Sequence, residues 1–204
     1  MQSQHFSFCL FFLALALCIN IFAVGSVQAD TPISMDGMMM KLATENNDAA
    51  AQYFIGRNFL LGKSVTVNKA EAAKWFTRAA KQNHVKAQYE LGRLYLMGEG
   101  VNKNNNVAFE LMISAAKHEH VAAQYELGKM YLRGISGLAD PRKAVQWLQK
   151  AISANHPPAM FTLGKLYYEG KLVAPSRSEG MHLLREAASM GQPEAIQYLN
   201  SIGS

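Results

Sequence analysis

The first 29 residues contain no lysine, arginine, aspartate or glutamate, and the residues after them contain no cysteine. Both cysteines, Cys9 and Cys18, lie in the uncharged stretch, where Phe6 to Val24 is nearly all apolar. Val27 and Ala29 occupy the −3 and −1 positions before Asp30, which reads as a secretory signal peptide over 1–29, although MQSQH lacks the usual basic residue. An uncleaved anchor is the alternative. A lipoprotein site is disfavoured, because Leu17 rather than a small residue precedes Cys18. Once the leader is removed, disulfides, thiolate metal sites and cysteine nucleophiles are excluded, and packing alone must hold the fold. All 20 Lys and Arg and all 15 Asp and Glu belong to the remainder, which keeps a formal charge of +5. No dense basic run points to nucleic acid, so an acidic partner or an anionic envelope surface suits that balance. No glycine loop that would cradle a phosphate is found, nor any paired carboxylates in a plausible pocket.

What the chain does have is a period. Ala51, Ala87, Ala123, Ala159 and Ala195 are each 36 residues apart, with no insertion or deletion. AQYELGRLYLMG at 87–98 and AQYELGKMYLRG at 123–134 can be laid over each other. Aligned in this way, Gly56, Gly92, Gly128 and Gly164 fall inside a first helix, and Gly62, Gly98, Gly134 and Gly170 end it. The terminal glycine suits a left-handed helix end. The internal one costs about 1 kcal/mol against alanine. That cost is offset if the facing helix packs closely there, with Ala79–Ala80 or Ala115–Ala116 expected opposite.

Each second segment opens on a residue suited to capping, Asn68, Asn104, Asp140 or Ser176, and apolar residues then recur at helical spacing. The expected architecture is all-α, with four helix-loop-helix units at 49–84, 85–120, 121–156 and 157–192. An extra helix lies within 30–48 and a closing helix within 193–204. No unit covers its own apolar face, so stacking into a solenoid supplies the cover.

The pattern A-x-x-x-L-G-x-x-Y-x-x-G, followed by Glu99-Gly100-Val101, a capping residue, K-A-x-x-W and A-A, resembles the Sel-one-like repeat family. Unit two carries it best, and unit four departs most, with YEGKLVAPS in its loop and Gly180 in place of alanine. The resemblance implies a right-handed α-α superhelix that acts as a non-catalytic adaptor for other proteins, in a bacterial envelope or in a secreted, host-directed role. Some cysteine-rich relatives are associated with β-lactams. A protein binding or hydrolysing cell-wall fragments or β-lactams is therefore the alternative, weakened here by the missing cysteine pairs.

Three groups of residues tempt a chemical reading. Ser114-Ala115-Ala116-Lys117 has the S-x-x-K form of penicillin-recognising enzymes, but S-D-N and K-T-G are absent. Arg78-Ala79-Ala80-Lys81 occupies the same place in unit one, so Ala-Ala-Lys is part of the repeat. His84, His120 and His156 recur at the period, yet helices packed about 8–10 Å apart cannot bring them to one zinc ion. Turns after the second helix, with the rings bonded to free carbonyls or favouring the helix C-terminus, are their expected setting. Met35, Met38, Met39 and Met40 could bind Cu(I) but suit an adaptable apolar cap better. No cofactor is implied.

One face of the first helices carries rows. Tyr53, Tyr89, Tyr125 and Phe161 are followed four residues on by Arg57, Arg93, Lys129 and Lys165, and then by Leu60, Leu96, Leu132 and Tyr168. On the inner curve of a solenoid, the aromatic and cationic rows would take an acidic or amphipathic protein segment. The aromatic and leucine rows equally suit packing of unit against unit, with Glu90 and Glu126 paired to Arg93 and Lys129. The expected product is a periplasmic or secreted scaffold, with no stable membrane insertion after leader cleavage.

Overall fold

The computed structural model describes residues 35–135, 137, 139–170 and 176–203, so the leader and the KLVAP portion of the fourth loop, 171–175, lie outside the described residues. The chain divides into two compact units, Met1–Met38 and Met39–Ser204. Of the first, only Met35–Met38 is described, as the opening turn of a helix. All packing below belongs to the second.

Among the described residues there are ten α-helices and no strand. They are α1 (Met35–Thr44), α2 (Ala49–Leu61), α3 (Lys69–Lys81), α4 (Val85–Met97), α5 (Asn105–Lys117), α6 (Val121–Arg133), α7 (Pro141–Ser153), α8 (Pro157–Glu169), α9 (Arg177–Ser189) and α10 (Pro193–Ile202). The fold is an all-α repeat superhelix in which α2–α3, α4–α5, α6–α7 and α8–α9 are the four paired units. No described helix is long and apolar enough to cross a membrane.

Local signals set the helix ends. Asn68, Asn104 and Asp140 accept the N–H of Glu71, Val107 and Lys143 at 3.0, 3.1 and 3.0 Å, removing orphan donors. Ser176 makes no such bond. At the other end, Gly98 has φ +72°, and its N–H and that of Glu99 both donate to the Leu94 carbonyl.

The internal glycines form notches. A Cβ built on Gly56 would meet the Phe76 ring at 2.7 Å, and one on Gly128 would meet Leu148 Cγ at 2.9 Å. On Gly92 it would lie 3.1 Å from Met112 Cε, and on Gly164 3.1 Å from Leu184 Cγ. Phe76, Met112, Leu148 and Leu184 are fully buried and themselves 36 residues apart. The facing residue is therefore a large knob, not the alanine pair expected from the sequence. Ala79 instead shares a cluster with Ala87 and Leu91, and Ala115 and Ala116 share one with Ala123 and Leu127, so the alanines serve the next unit's first helix. Gly180 also finds its reason here: a Cβ would reach Tyr168 N at 2.6 Å and the Gly164 carbonyl oxygen at 2.7 Å. In that pair, backbone meets backbone.

A buried amide joins each of the first three units to the helix before it. Gln52, Gln88 and Gln124 donate Nε2–H to the carbonyls of Ala43, Ala80 and Ala116 at 3.1, 3.4 and 3.3 Å. Those acceptors include last-turn carbonyls that have no partner within their own helix. Met160 holds the fourth position and replaces the bond by apolar burial.

The notches differ in how far their knobs can yield, which separates otherwise identical substitutions. Gly56→Ala and Gly128→Ala push against a ring and a branched side chain, and a net loss of roughly 1–2 kcal/mol is expected from overpacking set against helix propensity. Gly92→Ala comes closest to the mobile end of a methionine, with Leu111 Cβ and the Ala108 carbonyl oxygen at 3.4 and 3.5 Å in ordinary contact, and should be neutral or slightly stabilising. Thermal denaturation of the three variants checks the order, and equal effects at all three would remove the notch account.

Candidate functional site

The site-bearing face is built on α2, α4, α6 and α8. Tyr53, Tyr89 and Tyr125 are half-buried under the imidazoles of His84, His120 and His156, with ring centroids 4.7, 4.5 and 5.0 Å apart. Each histidine is the N-cap of the next unit's first helix. Its Nδ1 accepts the N–H of Ala87, Ala123 or Ala159 at 3.2, 3.2 and 3.3 Å, which leaves any ring proton on Nε2. The expected bonding to carbonyls of the preceding helix is thus corrected. The reason is that the chain turns before the histidine, whose extended backbone aims the ring at the following helix start. Asp48 caps α2 in the same position, accepting from Ala51. Phe161, in the fourth unit, packs edge-on against Tyr198 at 6.2 Å.

The cations lie beside these rings. Arg57, Arg93 and Lys129 sit over Tyr53, Tyr89 and Tyr125 at 6.0, 5.9 and 4.7 Å from the centroids, and Lys165 lies over Tyr198 at 5.1 Å. Arg93 pairs with Glu90 at 3.4 Å, Lys129 with Glu126 at 2.8 Å and Lys165 with Glu169 at 3.9 Å. Burial pushes the Glu90 carboxyl above its ordinary range, while Arg93 and Arg57 pull it back. Leu60, Leu96 and Leu132 pack into the clusters between units. The three rows thus separate: leucines inward, aromatics half-covered by histidine, cations outward.

The second and third units enclose a cleft of about 480 Å³ between the C-terminal ends of α4 and α6. Arg93, Lys103, Lys129 and Arg133 line it against one acid, Glu126, and Leu96, Met97 and Ile135 supply apolar wall. Lys103 and Arg133 form no ion pair among the described residues. A carboxylate there meets several cations, and an adjoining apolar side chain meets a wall that includes the exposed Met97. The rows singled out Arg93 and Lys129 but missed Lys103 and Arg133. The first belongs to a loop and the second to the end of α6, off the repeated positions.

The other candidates do not converge. Ser114 lies on α5, and its carbonyl oxygen is 2.8 Å from His118 Nδ1. Met39 packs with Ala43, Ala51, Ile55 and Trp75, whereas Met40 is exposed. No group of three His, Cys, Asp or Glu able to hold a metal occurs among the described residues.

Known proteins match this arrangement. The sequence model of the Sel1 repeat matches residues 49–84, 85–120, 121–156 and 157–192. A Sel1 repeat protein from Oxalobacter formigenes superposes with a TM-score of 0.74 at 30% identity, over 82% of this chain and 68% of that one. The protective antigen c5321 of uropathogenic Escherichia coli, with an SLR fold, gives 0.78 at 25% identity over 82% of this chain but only 36% of its own. Immunity protein Pa5087 of Pseudomonas aeruginosa gives 0.52 at 27% identity, over 75% of this chain and 57% of that one. None of the curated proteins compared with the chain matches it.

The histidine caps make stability depend on pH. Burial first, helped at His84 and His120 by Lys86, holds the three imidazoles below the ordinary 6.5. The unfolded chain then binds more protons, so the caps contribute fully above about pH 6.5 and are lost as pH falls toward the folded values. The thermal midpoint should stay level from about pH 8 to 7 and decline between about 6.5 and 5. His120→Asp, which copies Asp48, should remove part of that decline. A midpoint unchanged down to pH 5 would contradict the cap assignment.

Proposed function

The chain belongs to the Sel1 repeat family, and on that premise we propose that it is a non-catalytic scaffold whose cationic cleft takes an acidic, amphipathic segment of another protein. Sel1 repeat proteins generally bind other proteins. What supports the finer reading is the cleft between α4 and α6, where four cations face one carboxylate beside an apolar wall. Such an excess favours a partner that brings its own carboxylates, and the apolar wall gives an adjoining side chain a dry contact. No proton-transfer pair or nucleophile–base pair is part of the reading. The work of the site is recognition.

The proposed location is the periplasm or the exterior, on the strength of the uncharged apolar leader that ends at Ala29. Cell fractionation with mass spectrometry of the recovered chain checks it. Asp30 as the first residue of an envelope-fraction protein is the expected result, and a full-length cytosolic chain is the opposing one.

For the cleft, the double variant Arg93→Glu, Lys103→Glu should recover its crosslinked partner at least tenfold less well than the parent, with circular dichroism and thermal midpoint preserved. Equal recovery by parent and variant would move the docking site elsewhere on the molecule.

A further inference from the structure

The cationic row contains its own template for a ligand. Glu90 pairs with Arg93 of its own unit, and its charge is felt by both Arg57 and Tyr53 of the unit before. A carboxylate thus fills the slot bounded by Tyr53, Arg57 and Arg93. Glu126 repeats this one unit on: it pairs with Lys129 and its charge is felt by Tyr89, while Arg93 completes the slot. The third slot has Lys129 over the Tyr125 ring on one side, and the repeat puts Lys165 on α8 at the other. There the residue 36 positions after Glu126 is Thr162. Its Oγ1 donates to the Pro158 carbonyl at 2.8 Å and lies 3.4 Å from the Tyr125 hydroxyl oxygen, which proves that position 162 faces Tyr125 as the acids face Tyr53 and Tyr89. Geometry recurs there and charge does not.

We propose that the slot formed by Tyr125, Lys129, Thr162 and Lys165 receives a side-chain carboxylate of the partner protein, in the place that Glu90 and Glu126 fill in the two preceding slots. The proposal rests on the reading of this face as a protein-docking surface and names the contact. The charges already near the slot leave room for it. Lys129 is engaged by Glu126 on the side of the second slot, and Lys165 is held over Tyr198 with Glu169 at 3.9 Å. Lys165 is the cation without an acid three residues before it, apart from Arg57, where Phe54 stands in that position. Arg57 already faces Glu90. With the single Thr162 proton given to the Pro158 carbonyl, the Tyr125 O–H can donate to Thr162 Oγ1 at 3.4 Å or turn to an incoming anion in its place. Charge complementarity therefore favours one occupant, an acidic side chain of a protein segment lying across α6 and α8.

The test fills the slot from within. A fluorescein-labelled dodecapeptide with glutamate at every third position among glycine and leucine is titrated by fluorescence anisotropy against the mature protein, with its glutamine counterpart as control. The parent should bind the glutamate peptide at least tenfold more tightly than the glutamine peptide. Thr162→Glu should weaken that binding about tenfold, whereas Thr162→Gln, of similar bulk and no charge, should stay within twofold. Three results would overturn the proposal: no preference of the parent for glutamate, unchanged binding by Thr162→Glu, or an equal loss with Thr162→Gln. The variant Arg93→Glu, Lys103→Glu, which leaves the third slot intact, distinguishes the two failures. If it loses the peptide while Thr162→Glu keeps it, the slot is wrong and the cleft stands. If it keeps the peptide while Thr162→Glu loses it, the cleft is wrong and the slot stands.

Discussion

Within each unit, a glycine on the first helix accepts one large side chain from the second, joined in the fourth by the Gly180 backbone, and the separation of the two helices follows from that contact. Gly56 takes Phe76, Gly92 takes Met112, Gly128 takes Leu148 and Gly164 takes Leu184. The helix-propensity cost of about 1 kcal/mol per glycine is of the same order as what a lost or overfilled core contact would cost. A close-packed interior cannot absorb an extra methyl where the knob is a ring or a branched chain. The unit is therefore set at a fixed depth, and the surfaces that it offers to its neighbours are set with it.

Units join through a different chemistry. Alanines at the end of one second helix pack on the next first helix, a buried glutamine closes last-turn carbonyls, and a capping histidine lies on the tyrosine of the preceding unit. Two of these three contacts use polar groups that a helix end leaves unsatisfied. The junction thereby turns an obligatory cost of helix termini into a register between repeats. It also ties that register to the neutral form of an imidazole, because a protonated Nδ1 would face the N–H that it now accepts.

In the proposed reading, recognition enters where the repeat is broken. A perfect array would pair every cation with an acid three residues earlier and present nothing distinctive. In this chain Thr162 departs from that pairing, and Lys103 and Arg133 add charge off the repeated positions. The stems of Arg93 and Lys129 rest on the rings of Tyr89 and Tyr125, and their charged ends carry Glu90 and Glu126. A binding surface of this kind needs no strained backbone and no shifted catalytic group.

The period of 36, the helix-ending glycines and three of the four caps expected on the second helices were legible in the residues themselves, because propensity and capping are local and each unit repeats the same local problem. That the architecture was an all-α superhelix followed as well, since an apolar stripe that no single unit can cover requires a neighbour. The identity of the knob opposite each glycine was not legible. Phe76 and Ala79 lie on nearly the same helix flank, and only the crossing of two helices decides which of them meets the notch. The same holds for His84, His120 and His156: one-dimensional spacing places them between helices, and the backbone direction at the turn decides which helix they cap. It was tertiary packing, too, that sorted three parallel rows into leucine partly buried between units, aromatic half-covered by histidine, and cation over the ring. Burial depends on what lies across from a residue, and a list of residues along one helix does not contain that.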